Sequence, residues 1–218
     1  MKAIFLCAIA IPLFGTLMYA GTVIGTANEA TIVPWGAQFG NYQQIYNSGA
    51  FSGAIDIGSI SFYNTSYDNG GSQGVAQMDY TISLAVTSQS LPDGSIPSGN
   101  VLFASGHLAG QNFPFGSTLS FSGTPFVYDP SLGNLELTVL VSNESGPTSG
   151  VVTYFDGENP GPFSSWNPSG SSSGNGLVTG FDTGTGTVPE PATPLLLGIG
   201  IVAIAARSRR RKASSSGR

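Results

Sequence analysis

The 218-residue chain has one cysteine and one histidine, and between Gly21 and Ala206 it has no lysine or arginine at all. Each absence closes off a chemistry. Cys7, the single cysteine, lies inside an apolar N-terminal run, so a chain that matures near Gly21 has no thiol. Disulfides, thiolate catalysis and cysteine-ligated zinc are excluded together. Cys7 also has too few apolar residues before it to be a lipid-attachment cysteine. His107, the sole histidine, excludes a multi-histidine metal centre, and no serine stands in a nucleophile-elbow pattern beside which it would act. The missing bases exclude nucleic acid, because neutralising backbone phosphates takes Lys or Arg. Eleven of the twelve Asp and Glu fall within residues 21–187, so the body of the chain carries charge of one sign only.

The seven bases are held at the two ends. Lys2, the apolar run Ala3 to Leu17 and the small-residue stretch Tyr19-Ala20-Gly21 read as a secretory signal peptide, residues 1–20, cut between Ala20 and Gly21. Met18, at the third position before the cut, is larger than that position usually carries. At the other end, Ala192 to Ala206 is free of charge. As a helix it would be about 22 Å long against a hydrocarbon core of about 30 Å. Snorkelling of Arg207 and Arg209, or inclusion of the residues from Val188, closes the difference. The basic cluster Arg207, Arg209, Arg210, Arg211 and Lys212 follows at once, and positive charge after an apolar segment stays on the cytoplasmic side. The expected topology is a single-pass membrane intermediate with the body outside and the C-terminus cytoplasmic.

Val188-Pro189-Glu190-Pro191, an apolar segment containing Gly198 and Gly200, and then Arg209-Arg210-Arg211 resemble the PEP-CTERM protein-sorting domain of bacteria that make exopolysaccharide. The resemblance covers the last thirty or so residues. It implies Sec-dependent export, handling by the membrane enzyme exosortase with Val188, Pro189, Glu190 and Pro191 as the recognised motif, and delivery to the cell envelope or its polysaccharide matrix. The same kind of tail is also labelled the C-terminal domain of ice-binding proteins. Ice binding itself would need a regular Thr array, and Thr183, Thr185 and Thr187 alternate only once, in a linker.

The domain reading is a signal peptide at 1–20, an acidic body at 21–181, a Gly/Thr linker at 182–187, the sorting and anchor segment at 188–212 and a polar tail at 213–218. In the body, apolar residues recur with period two, the signature of half-buried strands. Met78, Tyr80, Ile82, Leu84 and Val86 share one face, and so do Leu135, Leu137, Val139 and Val141. Further strands are expected at 42–46, 55–63, 101–106, 119–123, 125–129, 151–155 and 176–181. In 55–63 the apolar parity shifts from Ile55 and Ile57 to Ile60 and Phe62, which predicts a β-bulge at Gly58. Turn residues at Asp68-Asn69-Gly70-Gly71, Leu91-Pro92-Asp93-Gly94 and 129–134 separate the strands. The predicted fold class is all-β: a single antiparallel β-sandwich, jelly-roll-like. Gly and Pro make up about a fifth of the chain, below the share that signals disorder, and thirteen Phe with eight Tyr supply a core.

Sites are sparse. A β-sandwich glycosidase needs two facing carboxylates; Glu29, Asp79, Glu136, Asp156 and Glu158 are available, and the sequence does not pair them. No catalytic residue and no protein-ligated metal is therefore assigned, and no cofactor beyond calcium, for which Asp156-Gly157-Glu158-Asn159 and Asp68-Asn69-Gly70 place oxygen ligands on Gly-bearing loops. Ordinary turns account for those loops equally well. Tyr42, Gln44 and Tyr46 are candidate glycan contacts, since sugars are held by flat rings and amides, and core packing accounts for the same residues. The body is also loosely similar to domains that precede PEP-CTERM tails, through "YQQIY" and "YDPSLGNLELTV". The reading that follows is a non-enzymatic exported surface protein, with an exopolysaccharide-binding module and a polysaccharide hydrolase as alternatives.

Overall fold

Period-two patterning becomes strands almost throughout. The computed structural model describes residues 21–35, 40–66, 73–145, 151–167 and 170–183, all within the first of the chain's two units, Met1–Gly184. Among these residues the strands are β1 (Thr22–Ile24), β2 (Glu29–Thr31), β3 (Gly40–Tyr46), β4 (Ile55–Asn64), β5 (Gln73–Val75), β6 (Gln77–Thr87), β7 (Val101–Leu108) and β8 (Gln111–Asn112). They continue with β9 (Ser117–Tyr128), β10 (Asn134–Ser145), β11 (Val151–Val152), β12 (Phe155–Glu158), β13 (Phe163–Asn167), β14 (Gly170–Ser173), β15 (Gly176–Leu177) and β16 (Thr179–Asp182). Among the described residues helix is limited to two short 3-10 turns, Ser48–Ala50 and Pro130–Leu132.

Four sheets result. The largest has the order β14-β13-β3-β10-β6-β7, and a second has β1-β16-β4-β9. Two three-stranded sheets, β11-β5-β8 and β15-β12-β2, complete the set. Pairing is antiparallel apart from the short parallel pair β11 and β5. The architecture is all-β as expected, but the two small sheets are additions to the two-sheet arrangement that the sequence suggests.

The two large sheets share a core. Leu135, Leu137, Val139 and Val141 of β10 and Met78, Ile82 and Leu84 of β6 are buried on one side. Ile60 and Phe62 of β4, Leu119 and Phe121 of β9 and Phe181 of β16 are buried on the other. Aromatic pairs cross between the sheets: Tyr46 meets Phe181 edge-on at 5.1 Å and Tyr80 meets Phe121 at 4.8 Å. Each such pair adds about 0.5–1.5 kcal/mol to its area burial.

The predicted irregularity at Gly58 is present, since the β4–β9 register shifts between Ile57 and Ser59. Its larger excess is on the partner strand. Ile57 faces Phe126 and Ser59 faces Ser122, so Gly123, Thr124 and Pro125 oppose Gly58 alone. Pro125 has no N–H for a ladder and is tolerated at such a bulge. At the bulge β9 also lies close on β7: a Cβ at Gly123 would clash with the Phe103 carbonyl oxygen.

The body's chain entry and exit are neighbours, because β1 pairs antiparallel with β16, Thr22 opposite Phe181. Gly21, the first described residue, is exposed beside Asp182. Ala20, the signal, the sorting motif and the basic cluster lie outside the described residues.

Candidate functional site

On β3 the odd and even residues face opposite ways. Tyr42, Gln44 and Tyr46, the candidate glycan contacts, take the inner face and are buried between the sheets. Gln44 accepts hydrogen bonds from the Tyr42 hydroxyl at 2.5 Å and from the Leu177 N–H at 2.8 Å, and donates to the Leu177 carbonyl at 2.8 Å. Tyr46 donates to Thr179 at 2.8 Å. Burial holds both tyrosine hydroxyls well above the usual phenol range. These side chains stitch β3 to β15 and β16, and a glycan has no access to them. The expectation is corrected accordingly: alternation turned the "YQQIY" rings inward, and the polar groups that reach the outer face of the sheet are Asn41 and Gln43.

Those two residues anchor a loop. Residues 88–100, between β6 and β7, fold back across the outer face of the six-stranded sheet. Gln43 donates to the Ser95 carbonyl at 2.6 Å and accepts from the Gly94 N–H at 2.8 Å. Asn41 donates to the Gly94 carbonyl at 2.8 Å, and Ser171 to the Pro92 carbonyl at 2.7 Å. The turn itself is closed by Asp93, whose carboxylate accepts from the Ser95 N–H and hydroxyl and is held below the usual range by those bonds. Gly94 is required twice over: its φ is +83°, and a Cβ there would lie 2.7 Å from the Trp166 ring.

Beneath this loop lies a buried carboxylate. Glu136 alternates with the inward Leu135 and Leu137, so it points to the outer face, flanked in register by Ile45 and Ala85. Two residues on, Thr138 is flanked by Gln43 and Ser83. Glu136 and Thr138 are each 2% exposed, and Oε2 of the one and Oγ1 of the other have no hydrogen-bond partner. Burial first, and then the Asp93 carboxylate, push the Glu136 carboxyl up to about 7.

Asp156 and Glu158 are engaged by donors. Asp156 is buried, and its two oxygens accept from the Thr65 N–H at 3.0 and 3.1 Å, the Thr65 hydroxyl at 2.6 Å and the Ser66 N–H at 2.9 Å. Glu158 accepts from the Thr26 N–H at 2.9 Å. The first calcium loop of the sequence reading is therefore tied to main-chain and hydroxyl donors, and Asp68-Asn69-Gly70 lies outside the described residues. We expect Asp156→Asn, which turns an NH2 toward these donors, to cost about 2 kcal/mol in urea unfolding. An unchanged midpoint would show that this carboxylate does not hold β12 to the end of β4.

His107 pairs with Asp79 at 2.7 Å across β6 and β7, and Asn143 donates to the same carboxylate at 2.6 Å. These bonds, from Asn143 first and His107 second, hold Asp79 below the usual carboxylate range. The cluster is exposed, and among the described residues no serine hydroxyl bonds the ring. Glu29 is exposed on β2 opposite Gly157. No group of three or more His, Cys, Asp or Glu comes together among the described residues, and none of their helices is long and apolar enough to cross a membrane.

The tail supplies the decisive comparison. A family model described as the PEP-CTERM protein-sorting motif matches residues 187–211. This chain carries a PEP-CTERM sorting signal. The match takes in Val188-Pro189-Glu190-Pro191 and the basic residues through Arg211, the features on which the sequence reading rested. A PEP-CTERM signal marks an exported, envelope-sorted substrate of exosortase. No curated protein and no solved structure matches the chain. Sequence reasoning thus found the address from local chemistry, and missed the Glu136 cluster, which depends on a loop crossing a sheet face.

Proposed function

We propose that this protein is a non-enzymatic surface protein whose acidic β-rich body, a sandwich-like domain, is displayed on the envelope or in its polysaccharide matrix after exosortase processing. The PEP-CTERM motif at residues 187–211 carries the reading. The signal peptide exports the body, the apolar segment after Pro191 halts in the membrane, and the arginines keep the last residues cytoplasmic. Exosortase acts at or near Pro189-Glu190-Pro191 from the outer side. The adjacent strands β1 and β16 bring the body's entry at Thr22 and its exit at Asp182 to one edge of the four-stranded sheet.

Intact mass of the protein recovered from an exosortase-bearing host, from the same host lacking the enzyme, and from a Glu190→Ala chain tests the reading. The residues beyond the motif are expected to be lost only when enzyme and motif are both intact. Full-length tail in all three samples would reduce the segment to a plain anchor and overturn the sorting step. Recovery of the chain from the cytoplasm with residues 1–20 attached would overturn export.

A further inference from the structure

We propose that the space between the outer face of the six-stranded sheet and the 88–100 loop binds one hard divalent cation of calcium's class, held by Glu136, Thr138 and Asp93. Three observations carry this. Strand alternation aims Glu136 and Thr138 into the space, and both are 2% exposed. Each has an oxygen without a partner. A buried polar atom left unmade costs about 1–3 kcal/mol, more when it is charged, so native structures rarely leave two side by side. The loop then brings a second carboxylate, Asp93, exposed and bonded through Oδ1 to Ser95, into electrostatic range of the first, where like charges oppose each other.

What the space needs is positive charge, and the chain cannot supply it. Between Gly21 and Ala206 there is no lysine or arginine, and the one histidine is committed to Asp79 at another place on the sheet. The ligand set is oxygen alone, which selects hard cations over those that prefer nitrogen or sulfur. Asp56 and Glu144 each hold an unpartnered, solvent-shielded oxygen as well, but both residues are part-exposed as a whole, whereas Glu136 is 2% exposed. Asp156, equally buried, is fully supplied with donors. Of the two fully buried carboxylates among the described residues, Glu136 is thus the one whose needs the chain does not meet. Two carboxylates and one hydroxyl are few for an ion that takes six to eight oxygens, and loop carbonyls and water complete the shell. The affinity expected is that of extracellular calcium modules, a dissociation constant of about 0.1–1 mM.

Trp166 packs on Gly94, next to Asp93, and so provides an internal sensor for terbium. Purified full-length protein titrated with Tb³⁺ under tryptophan excitation should show saturable luminescence that Ca²⁺ displaces in the millimolar range. Ca²⁺ alone should raise the thermal midpoint. Glu136→Gln should weaken both responses at least tenfold while remaining folded by circular dichroism, and Thr138→Val should weaken them less. Absence of saturable binding overturns the proposal. Binding that Glu136→Gln leaves unchanged also overturns it, by placing the ion elsewhere on the acidic body.

Discussion

Replacing Trp35 with alanine is expected to lower the unfolding free energy by about 3–5 kcal/mol, the range for deleting a fully buried large aromatic. Trp35 is wholly buried. Its indole stacks on Phe121 at 4.6 Å with a 26° tilt, lies 5.4 Å from Phe62, and meets Tyr80 edge-on at 6.2 Å. Phe62 and Phe121 belong to the four-stranded sheet and Tyr80 to the six-stranded one, so the ring is a wedge shared by both. It comes from the turn after β2 and not from a strand, so no neighbouring backbone slides in to close the cavity that alanine leaves. Its Nε1 has no partner in this apolar setting. Trp35→Phe therefore removes an unsatisfied donor along with some packing area, and should cost less than half as much. Urea unfolding followed by circular dichroism reads both. Two variants with equal costs below about 1 kcal/mol would show that the sheets close without the wedge.

The contrast between Trp35 and Leu137 shows what was legible in the sequence. Leu137 sits in an alternating run, and alternation reports a two-faced strand wherever one face is buried. β3, β4, β6, β7 and β10 were readable on that basis, and so was the parity shift at Gly58. Ser117–Tyr128 appeared as two strands because Pro125 and Gly123 interrupt its pattern; a bulge lets one strand pass through both. Trp35 has no periodic context and could not be placed. "YQQIY" failed differently. Every residue from Tyr42 to Tyr46 is buried, three against the core and two on the opposite face, where Gln43 bonds the 88–100 loop, so the parity that separates core from surface in a one-sided sheet carried no such information here. The Glu136 cluster was hidden for the same reason. Position 136 reads as an outward charge within "LELTVLVS", and only a loop starting some fifty residues earlier in the chain makes that outer face an interior. The tail was the most legible part, because an apolar run flanked by Pro-Glu-Pro and arginines acts through local chemistry and needs no partner segment.

Glu136 also sets an expectation for pH. Its carboxyl rises from an ordinary value of 4.5 to about 7 in the folded chain, through burial first and Asp93 second. Between these values the folded state keeps a proton that the unfolded state has lost. A raised acid therefore adds stability that is fully present below about pH 4.5 and disappears as pH climbs through 7. Without bound cation the difference is up to about 3 kcal/mol, since one pKa unit is worth about 1.4 kcal/mol. Glu144, raised by burial, acts in the same direction, whereas Asp79, Asp93 and Asp129 are lowered and act only in acid. The eleven acids of the body repel one another in wild type and variant alike. The diagnostic quantity is therefore the difference between wild type and Glu136→Gln in a chelating buffer. Glutamine resembles the protonated acid, so the two should be nearly equal in stability at pH 4.5, with the variant about 3 kcal/mol more stable at pH 8. Adding millimolar Ca²⁺ at pH 8 should narrow that gap by stabilising only the wild type. Parallel curves across pH 4.5–8 would show that Glu136 ionises freely with the loop in place, and would remove the buried-carboxylate account of this face.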